Sequence, residues 1–243
     1  MNKPTLESAV FDLDGVITGT ATVHAKAWKE SFDIYLEEWS KQTGRPQPPF
    51  DEVQDYLAHV DGKPRQNGIA DFLVSRGIEP ATDVVERIAS DKNGRYLRLI
   101  ETLGVDVFEG SVRLIRALRE ARIPTAVASS SRNCAKILEV AGLSDLFDTR
   151  VDGNDLGELG LPGKPAPDLF LEAARRLKVD PARSVVFEDA TSGVEAGARA
   201  GYGIVIGVAR DDNADELKKA GAHRVVQDLG EIQPEELLEA DFE

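Results

Sequence analysis

Six short apolar runs, separated by amphipathic stretches, order most of this chain. They begin at Ser8 (SAVFDLD), Pro124 (PTAVASS), Asp148 (DTRVDG), Ser184 (SVVFED), Gly203 (GIVIGV) and His223 (HRVVQD). Between them lie the helix candidates GSVRLIRALREA, RNCAKILEVAG, APDLFLEAARRLKV and SGVEAGARAG, several of which end in Gly or run into Pro, as helix C-termini do. Strands alternating with helices predict an α/β fold with a Rossmann-like parallel sheet and helices on both faces. At 243 residues the chain is long enough for such a core carrying a smaller inserted unit.

From about residue 21 to residue 100 the rhythm breaks. This interval offers helical patterns (HAKAWKESFDIYLEEW, VQDYLAHV, ATDVVERIASDKNGRYLRLI) and a proline-rich kink, GRPQPPF, but no convincing core strand. The expected division is therefore a Rossmann-like core of residues 1–19 and 99–243, with an inserted helical domain of residues 20–98. No fixed repeat is visible, and the acidic tail DLGEIQPEELLEADFE reads as a solvated surface.

Charge narrows the function. Lys and Arg number 29 against 43 Asp and Glu, a formal net charge of −14, which on average repels a nucleic-acid backbone. A small anionic substrate would need local cations. The single cysteine, Cys134, excludes an intrachain disulfide and a cysteine-built zinc site, and its helical setting reads as packing. The first ten residues lack the apolar run of a signal peptide, and no 18 apolar residues run together. A cytoplasmic protein with no nucleic-acid or membrane partner is expected.

Three of the six strands end on chemistry-bearing residues. The first stops on Asp12 and Asp14, the second on Ser129, Ser130 and Ser131, and the fourth on Glu188 and Asp189. For any one of them a polar turn suffices. In a parallel sheet, however, all C-terminal strand ends share one edge, so these groups can converge although they are far apart in sequence. Their types suit phosphoryl transfer. A carboxylate can attack phosphorus, further carboxylates supply the oxygen ligands that Mg²⁺ prefers, and Ser129, placed before a helix, can bind phosphate. Lys164, in GKPAPD, reads alone as a solvated loop lysine; the two prolines that stiffen its approach to a helix favour a role in balancing the transferred charge.

The motifs FDLDGVIT, VASSSRN, GKPAPD and VFEDATSGVEAGARAG resemble, in order, the four motifs of the haloacid dehalogenase superfamily, and the helical insertion resembles its four-helix cap. Within it the chain is most similar to the β-phosphoglucomutase family. The resemblance implies Asp12 as nucleophile and Asp14 as general acid/base. It implies Ser129, Ser130 and Lys164 as phosphate ligands, and a Mg²⁺ site of Asp12, Glu188, Asp189 and the backbone carbonyl of Asp14. For substrate and distal phosphate it implies Thr20, His24, Trp28, Arg65, Lys92, Ser131, Arg132 and Asn133, with Arg132 in place of the family's lysine. It also implies a cis Lys164–Pro165 bond. His59 and His223 match nothing and read as structural. Gly19 stands where the family commonly carries an acidic hinge residue, which would loosen the hinge.

The function so implied is a monomeric Mg²⁺-dependent mutase interconverting β-glucose 1-phosphate and glucose 6-phosphate, with glucose 1,6-bisphosphate as intermediate. Two alternatives stand beside it: a sugar-phosphate phosphatase on the same scaffold, and a non-catalytic sugar-phosphate sensor.

Overall fold

A computed structural model describes residues 6–60, 63–210 and 212–240. The chain divides into two units, one of Met1–Gly19 with Val105–Glu243 and the other of Thr20–Gly104.

In the first unit the strands β1 (Ser8–Phe11), β4 (Thr125–Ala128), β5 (Thr149–Val151), β6 (Ser184–Glu188), β7 (Ile204–Val208) and β8 (Arg224–Val226) form a parallel sheet in the order β5-β4-β1-β6-β7-β8. All six lie within the apolar runs. A further two-stranded antiparallel ribbon, β2 (Thr18–Gly19) with β3 (Asp106–Val107), flanks the points where the chain leaves and re-enters the unit. Its two residues per strand are too few to leave a period in the sequence. Gly19 is paired with Asp106 there, and a Cβ on it would meet nothing closer than 3.4 Å.

The helices of this unit are α4 (Glu109–Glu120), α5 (Cys134–Val140), α6 (Gly153–Leu159), α7 (Asp168–Leu177), α8 (Thr191–Arg199), α9 (Ala214–Lys219) and α10 (Pro234–Leu238). Successive strand residues face opposite sides. Val10, Ala126, Val186 and Val205 join Leu169, Phe170, Val194 and Leu217, from α7, α8 and α9, in one buried cluster. On alternate positions Phe11 and Phe187 stack with centroids 4.5 Å apart. Since β1 runs between β4 and β6, the chain order reverses beside it, and the loops after β1, β4 and β6 are neighbours at the carboxyl edge. Open α/β sheets bind ligands at such a reversal.

The second unit contains α1 (Ala21–Thr43), α2 (Arg65–Ser75) and α3 (Thr82–Leu103), with one π-helical turn at Tyr56–Val60. Four helical segments are thus present among the described residues, one of them π rather than α. The expected boundary at 98/99 moves to 104/105, because α3 keeps its buried stripe to Ile100 and ends only at Gly104, with φ +79°. Phe32, Phe50 and Phe72 form the centre of this unit, with ring centroids 4.1–5.1 Å apart. The proline-rich segment folds onto it: Asp33 accepts the Phe50 N–H at 2.7 Å, and Lys29 donates to the Phe50 carbonyl at 3.0 Å.

Candidate functional site

The carboxyl edge of the sheet gathers one cluster. Single oxygens of Asp12, Glu188 and Asp189 lie within 4.8 Å of one another, and this is the metal-capable acidic group found among the described residues. Lys164 reaches into it. Its Nζ donates to Asp12 Oδ1 at 2.5 Å and to Glu188 Oε1, while lying 5.2 Å above the Phe170 ring centroid. The lysine's loop is held from α8, where Arg199 donates to the Pro165 carbonyl at 3.1 Å, and the Lys164–Pro165 bond is cis.

Burial sets the electrostatics. Asp12 is 6% exposed, and burial pushes its carboxyl up to about 8; the Lys164 charge opposes this, and the charges of Glu188 and Asp14 add to it. Asp189 is pushed well up for the same first reason, with Glu188 and Asp12 contributing. Burial works against the Lys164 charge, yet Asp12 and Glu188 together hold its ammonium above the usual lysine range. Three close carboxylates share one buried lysine. The excess of hard oxygen donors fits a small divalent cation, for which Mg²⁺ is the chemical match.

Two glycines make the cluster possible. A Cβ on Gly193 would stand 1.8 Å from Glu188 Oε1, and one on Gly15 would stand 1.8 Å from Asp189 Oδ2. Gly15 also has φ +84°, a region that favours glycine. Both carboxylates therefore rest against backbone that carries no side chain.

Behind β4, Ser129 is 2% exposed and its hydroxyl accepts the Ser131 N–H at 3.1 Å; the Ser131 hydroxyl in turn accepts from Asn133 N–H at 3.2 Å. This corrects one expectation: α5 starts only at Cys134, so Ser129 belongs to a hydroxyl-bridged turn rather than to a helix N-terminus. Ser130 and Arg132 are exposed, and Ser131 and Asn133 partly so. Gly153 admits this turn, since a Cβ there would lie 2.4 Å from the Ser130 carbonyl oxygen. Cys134 is fully buried, and burial pushes its thiol up, as packing requires.

In the inserted unit a second group assembles. Lys92 falls on the buried stripe of α3 and is 2% exposed. Its Nζ donates to His24 Nδ1 at 2.6 Å and lies 4.9 and 4.8 Å from the ring centroids of Trp28 and Tyr96. His24 stacks on Tyr96 at 4.2 Å, and burial, then the charges of Lys92 and Arg65, hold its imidazole well below the usual range. With Nδ1 accepting, the ring proton sits on Nε2. Arg65, the first residue of α2, donates to Asn93 Oδ1 at 3.0 Å. Thr20 is buried at the N-cap of α1. Trp28, expected at the substrate, is 5% exposed and stacked on Phe32 at 5.1 Å within the apolar cluster, because its position on α1 follows the buried period. Trp39 is only partly buried against that cluster.

His59 bonds Asp71 at 3.0 Å, and His223 Nδ1 accepts the Val205 N–H at 2.9 Å, the structural roles expected of them. The residues that sequence reading missed are Gly15, Gly193, Arg210, Asn213, Asn93 and Tyr96. Arg210 is the first polar residue after β7, two positions beyond Val208, so its place at a strand end resembles that of the acidic residues after β1.

The fold and site define a class, and comparison with known proteins agrees. The model of the haloacid dehalogenase-like hydrolases matches residues 6–201, and the chain belongs to that family. Among curated proteins it is 42% identical over 239 residues to a β-phosphoglucomutase of Mycobacterium tuberculosis, covering 93% of this chain and 91% of the relative. It is 34% identical to that of Bacillus subtilis, covering 98% and 96%. A phosphorylated carbohydrates phosphatase of Thermotoga maritima is more distant, at 28% identity over 96% and 97%. Among solved structures, β-phosphoglucomutase from Clostridium difficile superposes with a TM-score of 0.71 at 27% identity, covering 94% of this chain and 93% of that one. The chain is thus an enzyme of the mutase or hydrolase kind. Among its described residues no helix is long and apolar enough to cross a membrane.

Proposed function

We propose that this protein is a β-phosphoglucomutase, interconverting β-glucose 1-phosphate and glucose 6-phosphate through glucose 1,6-bisphosphate. The observation that carries the reading is the largely buried cluster of Asp12, Lys164, Glu188 and Asp189 on one sheet edge. The 42% identity to a curated mutase supports the choice of reaction.

Asp12, Glu188 and Asp189, with the Asp14 carbonyl, would hold Mg²⁺, which would neutralise charge between the nucleophile and the anionic phosphate. The carboxylate of Asp12 attacks phosphorus. An Asp12 O–P bond forms while the sugar O–P bond breaks, and Asp14 gives its proton to the departing sugar oxygen. In the return step Asp14 takes the proton of a sugar hydroxyl, whose oxygen attacks the aspartyl-phosphate and frees Asp12. Lys164 balances charge on the transferring group and orients Asp12, and Ser129 and Ser130 donate to its oxygens. Turnover of a bisphosphate also needs cations for the phosphate that stays behind. Arg65, Lys92, Thr20 and His24 of the inserted unit are assigned to the sugar and that phosphate, and Ser131, Arg132 and Asn133 of the sheet unit are the candidates carried by that unit; the buried ammonium of Lys92, flanked by the rings of Trp28 and Tyr96, supports a built anion site.

Arg65→Ala tests the mutase reading against the phosphatase. Arg65 serves substrate orientation, so its loss should cut isomerisation at least about a hundredfold. Hydrolysis of acetyl phosphate, which has no distal phosphate, should change less than about threefold. Equal losses in the two activities, or an unchanged isomerisation rate, would contradict the assignment.

A further inference from the structure

Arg210 follows β7 and turns back onto the loop that carries Asp14. Its Nε donates to the Gly15 carbonyl at 3.0 Å, and its Nη1 donates to the Gln227 carbonyl at 3.0 Å and to Asp228 Oδ2 at 2.9 Å. The guanidinium carbon lies 3.6 Å from the centroid of the Phe108 ring. Four contacts of one planar cation, with two loop carbonyls, a carboxylate and a ring, fix its position more firmly than a solvated arginine's.

The loop it holds is tightly specified. The Gly15 N–H donates to the Thr18 carbonyl at 2.8 Å, Ile17 and Thr18 N–H both donate to the Leu13 carbonyl at 2.9 Å, and the Ser111 hydroxyl donates to the Val16 carbonyl at 2.6 Å. These bonds join residues that are neighbours in the loop or on α4. The bond from Arg210 reaches it from 195 residues away. Gly15 is thereby pinned on both sides: one peptide plane by Thr18, the next by Arg210. The first of these planes includes the Asp14 carbonyl group, so the orientation of Asp14 depends on both. Three residues beyond Arg210, Asn213 donates to the Asp189 carbonyl at 3.1 Å, so the same segment also steadies the residue against which Gly15 rests.

We propose that Arg210 is a positioning residue for the general acid/base: through the Gly15 carbonyl it sets the direction of Asp14 without touching substrate. This rests on the reading of Asp14 given above. A positioning role for the acid makes a distinctive demand, because a proton donor matters in proportion to how poor the leaving group is. Acetyl phosphate and p-nitrophenyl phosphate expel stable anions and need little protonation; a hexose phosphate expels an alkoxide and needs much.

The test is kcat/KM for these three phosphoryl donors in wild type, Arg210→Met, Arg210→Lys and Asp14→Asn, with folding followed by thermal unfolding. For Arg210→Met the rate with the hexose phosphate, relative to acetyl phosphate, should fall at least about tenfold, a fraction of what general acid catalysis contributes. Arg210→Lys, which keeps a cation and a donor, should recover part of that ratio. Asp14→Asn should show the same pattern more strongly. A parallel loss for all three donors in Arg210→Met, or failure of both Arg210 variants to fold, would overturn the proposal and make Arg210 a structural residue. If Asp14→Asn itself shows a parallel loss, the reading of Asp14 fails; if it alone shows the steep dependence, only the role of Arg210 fails.

Discussion

An amide in place of the Asp12 carboxylate is neither a nucleophile toward phosphorus nor an anionic metal ligand. Asp12→Asn should therefore lower turnover by more than about a hundredfold, measured in steady state with saturating Mg²⁺. Greater residual activity would remove Asp12 from that role. Glycine makes a second test at this scale. Adding one methyl at Gly193 drives it onto the Glu188 carboxylate, which a Cβ would meet at 1.8 Å. Gly193→Ala should weaken Mg²⁺ binding at least about tenfold by calorimetry, since displaced ligand geometry costs that much in metal sites. Unchanged affinity would show that Glu188 is not a ligand. Asp12, Asp14, Glu188 and Asp189 were legible in the sequence because each follows an apolar run. Gly15 and Gly193 were not, because a missing side chain has no signature until its neighbour is known. Lys92 does carry one: a lysine on the buried stripe of a helix contradicts the pattern around it.

Element by element, legibility followed the size of the repeating signal. The inner strands β1, β4, β6 and β7 were plain because burial leaves near-unbroken apolar runs, the edge strands β5 and β8, with exposed positions, stood out by their place in the alternation, and α1 and α3 were plain because more than twenty residues repeat one buried face. The ribbon of β2 and β3 and α6 lack enough residues to establish a period, whereas the pattern VQDYLAHV anticipated the helical turn at Tyr56–Val60, though not its π form. α7 allows an energetic test. On it Glu172 accepts from Arg175 Nε at 2.6 Å and Nη2 at 2.7 Å, and from Arg176 Nε at 2.7 Å. The bonds from Arg175 lead in lowering its carboxyl to about 2, against an ordinary 4.5. A carboxylate lowered by folding contributes stability that is present above its unfolded pKa and is lost as pH falls toward the folded one. Arg175 is exposed, so screening reduces the effect to about 1 kcal/mol at neutral pH. In urea melts, Glu172→Gln should be less stable than wild type by that amount at pH 7, with the difference shrinking between about pH 4.5 and pH 2. A difference independent of pH would assign the effect to packing.

For the whole molecule, a net charge of −14 and a buried acidic cluster predict that Mg²⁺ is part of its stability as well as its chemistry. Saturation at about 100 times Kd should add about 2.7 kcal/mol and raise the unfolding temperature, and chelation should reverse it; no shift in calorimetry would contradict the site. The inserted unit was legible as a break in the strand rhythm, but its contents were read less well, because a histidine–lysine–aromatic group is assembled from residues far apart along α1 and α3. The central claim is that this scaffold moves a phosphate between two positions of one sugar rather than giving it to water. The direct measurement is a ³¹P NMR time course of the wild-type protein with β-glucose 1-phosphate, Mg²⁺ and a trace of glucose 1,6-bisphosphate. A growing glucose 6-phosphate resonance at the expense of the substrate, with little inorganic phosphate, is the predicted result; inorganic phosphate as the sole product would contradict it.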